Sequence, residues 1–233
     1  MLKKALSISL MAVLLVFTAQ NSFAQNKQNN GSSTTETTKE SEFSRQAQLA
    51  MDLVNYGYEN KYALSLVQAA QFFSVHPAVL RTFDLKEDNS KTGNPVHSYD
   101  PSSLLKDAKF FAGKDAELLA YIDKVEKEIA NKKETKGEVQ GVDYASVYLS
   151  KGQTKTITLD ASSFSWNEVS ARTNNSAKLK IYVYTDLEDK GWDSGTRPRL
   201  SFHLGICSTV YVEITNLDSY STTTEIVLTS TSF

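Results

Sequence analysis

Between Ala177 and Asn216 the chain alternates apolar and polar residues run after run. Leu179, Ile181 and Val183 fall on one side of an extended backbone, and Lys178, Lys180, Tyr182 and Tyr184 fall on the other. The alternation returns in Leu200, Phe202 and Leu204, and again in Val210, Val212 and Ile214. A period of two over several short runs predicts strands with one buried face. Seven strands are predicted, over residues 144–150, 154–160, 166–172, 178–185, 199–204, 209–215 and 225–230. Turn-forming pairs such as Lys151-Gly152 and Asn174-Asn175 separate them. Short strands at this spacing predict an antiparallel β-sandwich.

The first half of the chain follows a helical period instead. Phe43, Ala47, Ala50 and Val54 form one apolar stripe, with Met51 and Tyr58 alongside. Gly57 interrupts it; Ala63, Val67, Ala70 and Phe73 resume it, widened by Leu66, Ala69 and Phe72. Two stripes with a short break predict an antiparallel helical hairpin, which His76-Pro77 ends because the residue before proline is driven out of helical geometry. Residues 84–99 are polar and turn-rich and predict a loop. Asp100-Pro101 then predicts a helix start, with Asp as cap and Pro at the first helical position. Leu104, Leu105, Ala108 and Phe111, then Leu118, Ile122, Val125 and Ile129 beyond Gly113, predict a second hairpin. The two hairpins share no fixed period, so they do not read as a repeat array. The expected architecture is α+β: about four helices over residues 42–133, a charged linker at 134–141, and a seven-stranded antiparallel β-sandwich over 142–233.

The N-terminus alters where this protein is expected to work. Lys3 and Lys4, the apolar run 5–17 and Ser22-Phe23-Ala24 have the three parts of a secretory signal, with cleavage expected after Ala24. The run is shorter than the about 20 apolar residues of a spanning helix, so no membrane span is expected after cleavage. Residues 25–41 contain no large apolar side chain and read as a disordered tether. The formal charge is −2, and the leader carries two lysines and no acid, so the rest carries −2 − 2 = −4. That balance gives no basic footprint for nucleic acid. The single cysteine, Cys207, rules out an intramolecular disulfide and reads as a small filler.

Residues 178–186, with Leu-Lys-Ile-Tyr-Val-Tyr before an acidic turn, resemble the signature strand of the bacterial pre-peptidase C-terminal domain. Residues 210–216 (Val-Tyr-Val-Glu-Ile-Thr-Asn) resemble that family's penultimate strand, and residues 224–229 its closing strand. The turn Gly152-Gln153-Thr154 before Thr156-Ile157-Thr158-Leu159 fits as well. The resemblance covers 142–232 and leaves the helical part unassigned. It implies a secreted, non-catalytic β-sandwich of the kind attached to extracellular enzymes or surface proteins, some of which bind calcium or polymeric substrates. No protease-like stretch accompanies it here.

Candidate chemistry is sparse. Asp186, Glu188, Asp189 and Asp193 concentrate carboxylates in one stretch, and calcium takes several oxygen ligands; Lys190 and Arg197 stand where a helix-loop-helix calcium site would place ligands. The stretch reads chiefly as a solvated acidic hairpin whose tip, with Trp192, is mobile, and calcium is the minority reading. Tyr182, Tyr184 and Tyr211, together with Trp192, would face outward and could stack on sugars or anchor a protein. His76, His97 and His203 lie too far apart in sequence for metal-ligand spacing. Ser201 and His203 share a strand face, yet no Gly-x-Ser-x-Gly elbow is present. The expected function is that of a secreted or periplasmic, non-enzymatic binding or scaffold protein of the bacterial cell envelope, with no cofactor. Its partner is an envelope protein or a glycan. The first alternative is a carbohydrate-binding module using Tyr182, Tyr184 and Trp192. The second is an enzyme with its cleft between the helical and β parts.

Overall fold

The computed structural model describes residues 42–81, 84–85, 97–131, 141–206 and 208–231. The expected leader, tether, most of the linker and Cys207 lie outside the described residues. The described residues all fall within one compact unit.

The described residues of the N-terminal part hold four helices: α1 (Glu42–Asn60), α2 (Ala63–Phe73), α3 (Pro101–Ala112) and α4 (Ala116–Asn131). Asp100 caps α3 by accepting the Ser103 N–H at 2.9 Å, with Pro101 at the first helical position, as the sequence predicts. Gly57 does not end the first helix. It is buried within α1, where a Cβ would come within 2.5 Å of the Leu66 side chain on α2. The missing side chain lets the two helices touch, and the chain turns later, at Lys61 (φ 51°).

Among the described residues nine strands are present rather than seven. Seven match the predicted runs: β2 (Val142–Leu149), β3 (Thr154–Asp160), β4 (Trp166–Thr173), β5 (Leu179–Tyr184), β7 (Arg199–His203), β8 (Thr209–Asn216) and β9 (Thr222–Thr231). The two additions are β1 (Ala78–Leu80) and β6 (Asp189–Gly195). β1 is three residues long, too short to show a period. β6 has the sequence Asp-Lys-Gly-Trp-Asp-Ser-Gly, which carries no apolar alternation, because its pairing is set by its neighbour. It lies antiparallel on β5 with a register shift between Val183 and Tyr184, and Gly191 takes φ 123° there, a conformation glycine accepts without strain. Asp189, Trp192 and Asp193 therefore lie on a paired edge strand, and only residues 186–188 form the turn.

The strands form two sheets, in the orders β1-β2-β9-β4-β7 and β3-β8-β5-β6. All described pairings are antiparallel except β1 with β2. Val147, Leu149, Val169, Ala171, Phe202, Ile226 and Leu228 of the first sheet meet Ile157, Leu159, Leu179, Ile181, Val183, Val210, Val212 and Ile214 of the second in one core. The outer face of the five-stranded sheet is covered by the helices: Val142, Tyr144 and Val227 share a core with residues from all four of them. The chain between α2 and α3 also crosses from one sheet to the other. β1 pairs with β2, and Leu85 bridges Ile157 of β3 and enters the sandwich core.

Candidate functional site

The four-stranded sheet keeps its outer face for other uses. Strand alternation sends Leu179, Ile181 and Val183 inward, all fully buried, and leaves Lys180, Tyr182 and Tyr184 on the other side. Register then sets their neighbours. Tyr184 lies opposite Tyr211 of β8, and Tyr182 lies between Glu213 of β8 and Trp192 of β6. The structure thus gathers Tyr182, Tyr184, Trp192 and Tyr211 on one face. No described helix belongs to the core beneath it.

The rings form a ridge. Tyr182 and Tyr184 stack with centroids 5.4 Å apart and planes at 28°; Tyr184 and Tyr211 do so at 5.2 Å and 29°. At that separation near-parallel rings overlap with an offset instead of lying side by side in one plane. The tyrosines therefore cover part of each other's faces. Trp192 is 48 % exposed, with the Lys180 ammonium 5.2 Å from its ring centroid, a cation–π contact. The hydroxyl of Tyr182 donates to Asp189, and this bond, with a smaller contribution from burial, pushes its pKa up to about 12.

The carboxylates considered for calcium do not converge. Glu188 pairs with Lys190, Asp189 takes the Tyr182 hydroxyl, and Asp193 accepts the Arg199 N–H at 2.9 Å. Asp186 is exposed at the hairpin turn. Among the described residues no group of three or more His, Cys, Asp or Glu is placed to hold a metal ion, so these residues do not fit a calcium site.

The histidines also lie apart. His76 packs among Phe43 and Phe72, His97 stacks on Tyr58 at 4.2 Å, and His203 meets Trp166 edge-on at 5.6 Å. Ser201 does not serve His203; its hydroxyl donates to Glu168 at 2.8 Å.

Where the second alternative expects a cleft, the helices meet the sheet through a filled polar layer. Arg172 donates through Nε and Nη2 to Glu225 at 2.8 and 2.6 Å, through Nη2 to the Tyr99 hydroxyl at 2.6 Å, and through Nη1 to Asp52 at 2.9 Å. Tyr99 in turn donates to Glu225 at 2.8 Å, and burial pushes its phenol well above the ordinary value. Arg197 reaches the other Asp52 oxygen. Nearby, Ser44 and Ser201 both donate to the buried Glu168. These residues form a mutually satisfied junction, the condition under which buried charges are tolerated. Sequence reasoning missed it, although a signal exists: Ser44, Gln48 and Asp52 make a polar stripe at helical spacing beside the apolar stripe of α1.

No family model matches the chain, and no characterised protein matches it in sequence. Solved structures similar to it cover only part. A Yersinia pseudotuberculosis-derived mitogen shares 12% identity over 39% of this chain and 86% of its own, with a TM-score of 0.31. The pre-peptidase C-terminal domain of a Bacillus anthracis collagenase shares 13% over 36% and 86%, at 0.29. A periplasmic inhibitor of g-type lysozyme from Aeromonas hydrophila shares 12% over 39% and 86%, at 0.30.

Proposed function

We propose that this is a non-enzymatic binding protein of the bacterial cell envelope, exported by its N-terminal leader. The helices buttress one sheet, and the outer face of the other, β3-β8-β5-β6, docks a partner. The observation that carries this reading is the asymmetry of the sandwich: one outer face lies under helices, while the other displays a stacked row of tyrosines with Trp192 beside it. Tyr and Trp are the residue types that anchor protein interfaces, since each buries a large rigid area for little loss of side-chain freedom. Because the tyrosine faces are partly consumed by one another, the ridge suits a protein surface, with ring edges and hydroxyls making the contacts. The half-exposed indole of Trp192 keeps a second reading, a glycan stacked on that ring.

The two readings separate experimentally. Immobilised wild type and a Tyr184→Ser/Trp192→Ser variant are incubated with solubilised envelope proteins, and both are run in gels containing xylan, galactan or peptidoglycan fragments. Capture of a discrete partner by wild type alone, with no retardation by polysaccharide, is expected. Retardation that disappears in the variant would establish the glycan reading. Identical capture by both proteins would refute the role of this face.

A further inference from the structure

One end of the sandwich carries an unusual set of side chains. The turns after β3, β5 and β7 all lie there, since Asp160 pairs with Thr209, Tyr184 with both Tyr211 and Asp189, and Trp166 with His203. Each turn raises one large apolar residue into solvent: Phe164 is 71% exposed, Leu187 83% and Ile206 87%. These are the three most exposed large hydrophobics of the β part among the described residues.

The turns are tied to one another. Ala161 donates to the Ser208 carbonyl at 2.8 Å, Phe164 to Gly205 at 3.1 Å, and Leu204 to Ser165 at 3.1 Å. Lys190 joins the third turn by donating to the His203 carbonyl at 2.8 Å. Phe164 is held at φ 54°, rare for a bulky side chain. The apolar tips are thus mounted on a braced platform.

We propose that this end inserts its three tips into a zwitterionic lipid surface whose outermost group is an ammonium. The tips stand on three neighbouring turns and are highly exposed, which suits a fluid apolar layer. Below them Trp166 and His203 pack edge to face on the strand ends, and an indole at that level matches the water–hydrocarbon boundary, where one side of the ring is apolar and the other wet. Charge selects the headgroup. Asp160, Asp186 and Glu188 are exposed around the tips, while Lys190 is engaged by Glu188 and the His203 carbonyl. This acidic rim favours ammonium headgroups and repels anionic lipid. The inference is independent of the aromatic ridge, which lies on the sheet face.

The test uses protein lacking residues 1–24, whose apolar run would itself partition into lipid. Sedimentation with phosphatidylethanolamine/phosphatidylcholine vesicles is compared with sedimentation with phosphatidylglycerol vesicles. Binding to the zwitterionic vesicles is expected, falling about tenfold or more in Phe164→Ser/Leu187→Ser/Ile206→Ser. It should be unchanged in Leu217→Ser, at the opposite end of the sandwich. Circular dichroism confirms that the exposed substitutions leave the fold intact. No vesicle binding, binding that survives the triple variant, or preference for phosphatidylglycerol would overturn the proposal.

Discussion

The Tyr182 hydroxyl shows how single residues set the character of the ridge. Its bond to Asp189 favours the neutral phenol in the folded state. A group raised in this way contributes its stabilisation fully below the ordinary value of 10 and loses it as pH climbs towards about 12. Comparing phenolate absorbance titrations of wild type and Asp189→Asn should show one tyrosine ionising at lower pH in the variant. An unchanged titration in that variant would mean the bond is absent in solution. Alternation alone placed Tyr182 and Tyr184 on a common face, since it follows from the period of two. The stacking with Tyr211 was not legible, because it depends on β5 lying beside β8 in one register, a long-range fact that no local pattern encodes. The same holds for Arg172 and Glu225. Both occupy polar positions of alternating strands, and only the arrival of Asp52 and Tyr99 from elsewhere in the chain buries them.

At the scale of elements, α1 and α2 meet at Gly57. Gly57→Ala would normally stabilise a helix by about 1 kcal/mol, but here the new methyl would run into the fully buried Leu66. Overpacking of this kind costs about 1–3 kcal/mol, so the variant should lower the urea midpoint despite its better propensity. A raised midpoint would show that the helices can separate freely. In sequence the glycine resembles a helix end, because the usual meaning of glycine in an apolar stripe is a break. The seven long strands were legible from their period. β1 and β6 were not: one is three residues long, and the other has no apolar alternation and pairs along the edge of β5. Turn chemistry was a reliable guide where it was local, as in the Asp100 cap.

At the scale of the molecule, the helical and β segments share a core. Removing the helices would uncover Val142, Tyr144 and Val227, take β1 and Leu85 from the sheets, and leave Arg172 and Glu225 without Tyr99 and Asp52. Exposing the apolar side chains of this sheet face to water costs about 25 cal/mol for each Å² uncovered. A fragment of residues 141–233 should therefore unfold at clearly lower urea than residues 38–233, or aggregate; an equal midpoint would show that the strands fold alone, as their pattern by itself predicts. The sequence held the two apolar patterns separately, and the polar layer that joins them was hidden because its members come from distant segments. The same docking that covers one sheet leaves the other without a described helix in its core. The most direct measurement is hydroxyl-radical footprinting of the intact protein, with and without an envelope fraction of the producing organism. Protection is expected at Tyr182, Tyr184, Trp192 and Tyr211, while the exposed tyrosines of the helical part, Tyr56, Tyr62 and Tyr121, keep their reactivity; protection confined to those three, or none on the ridge, would contradict the open sheet as the binding face.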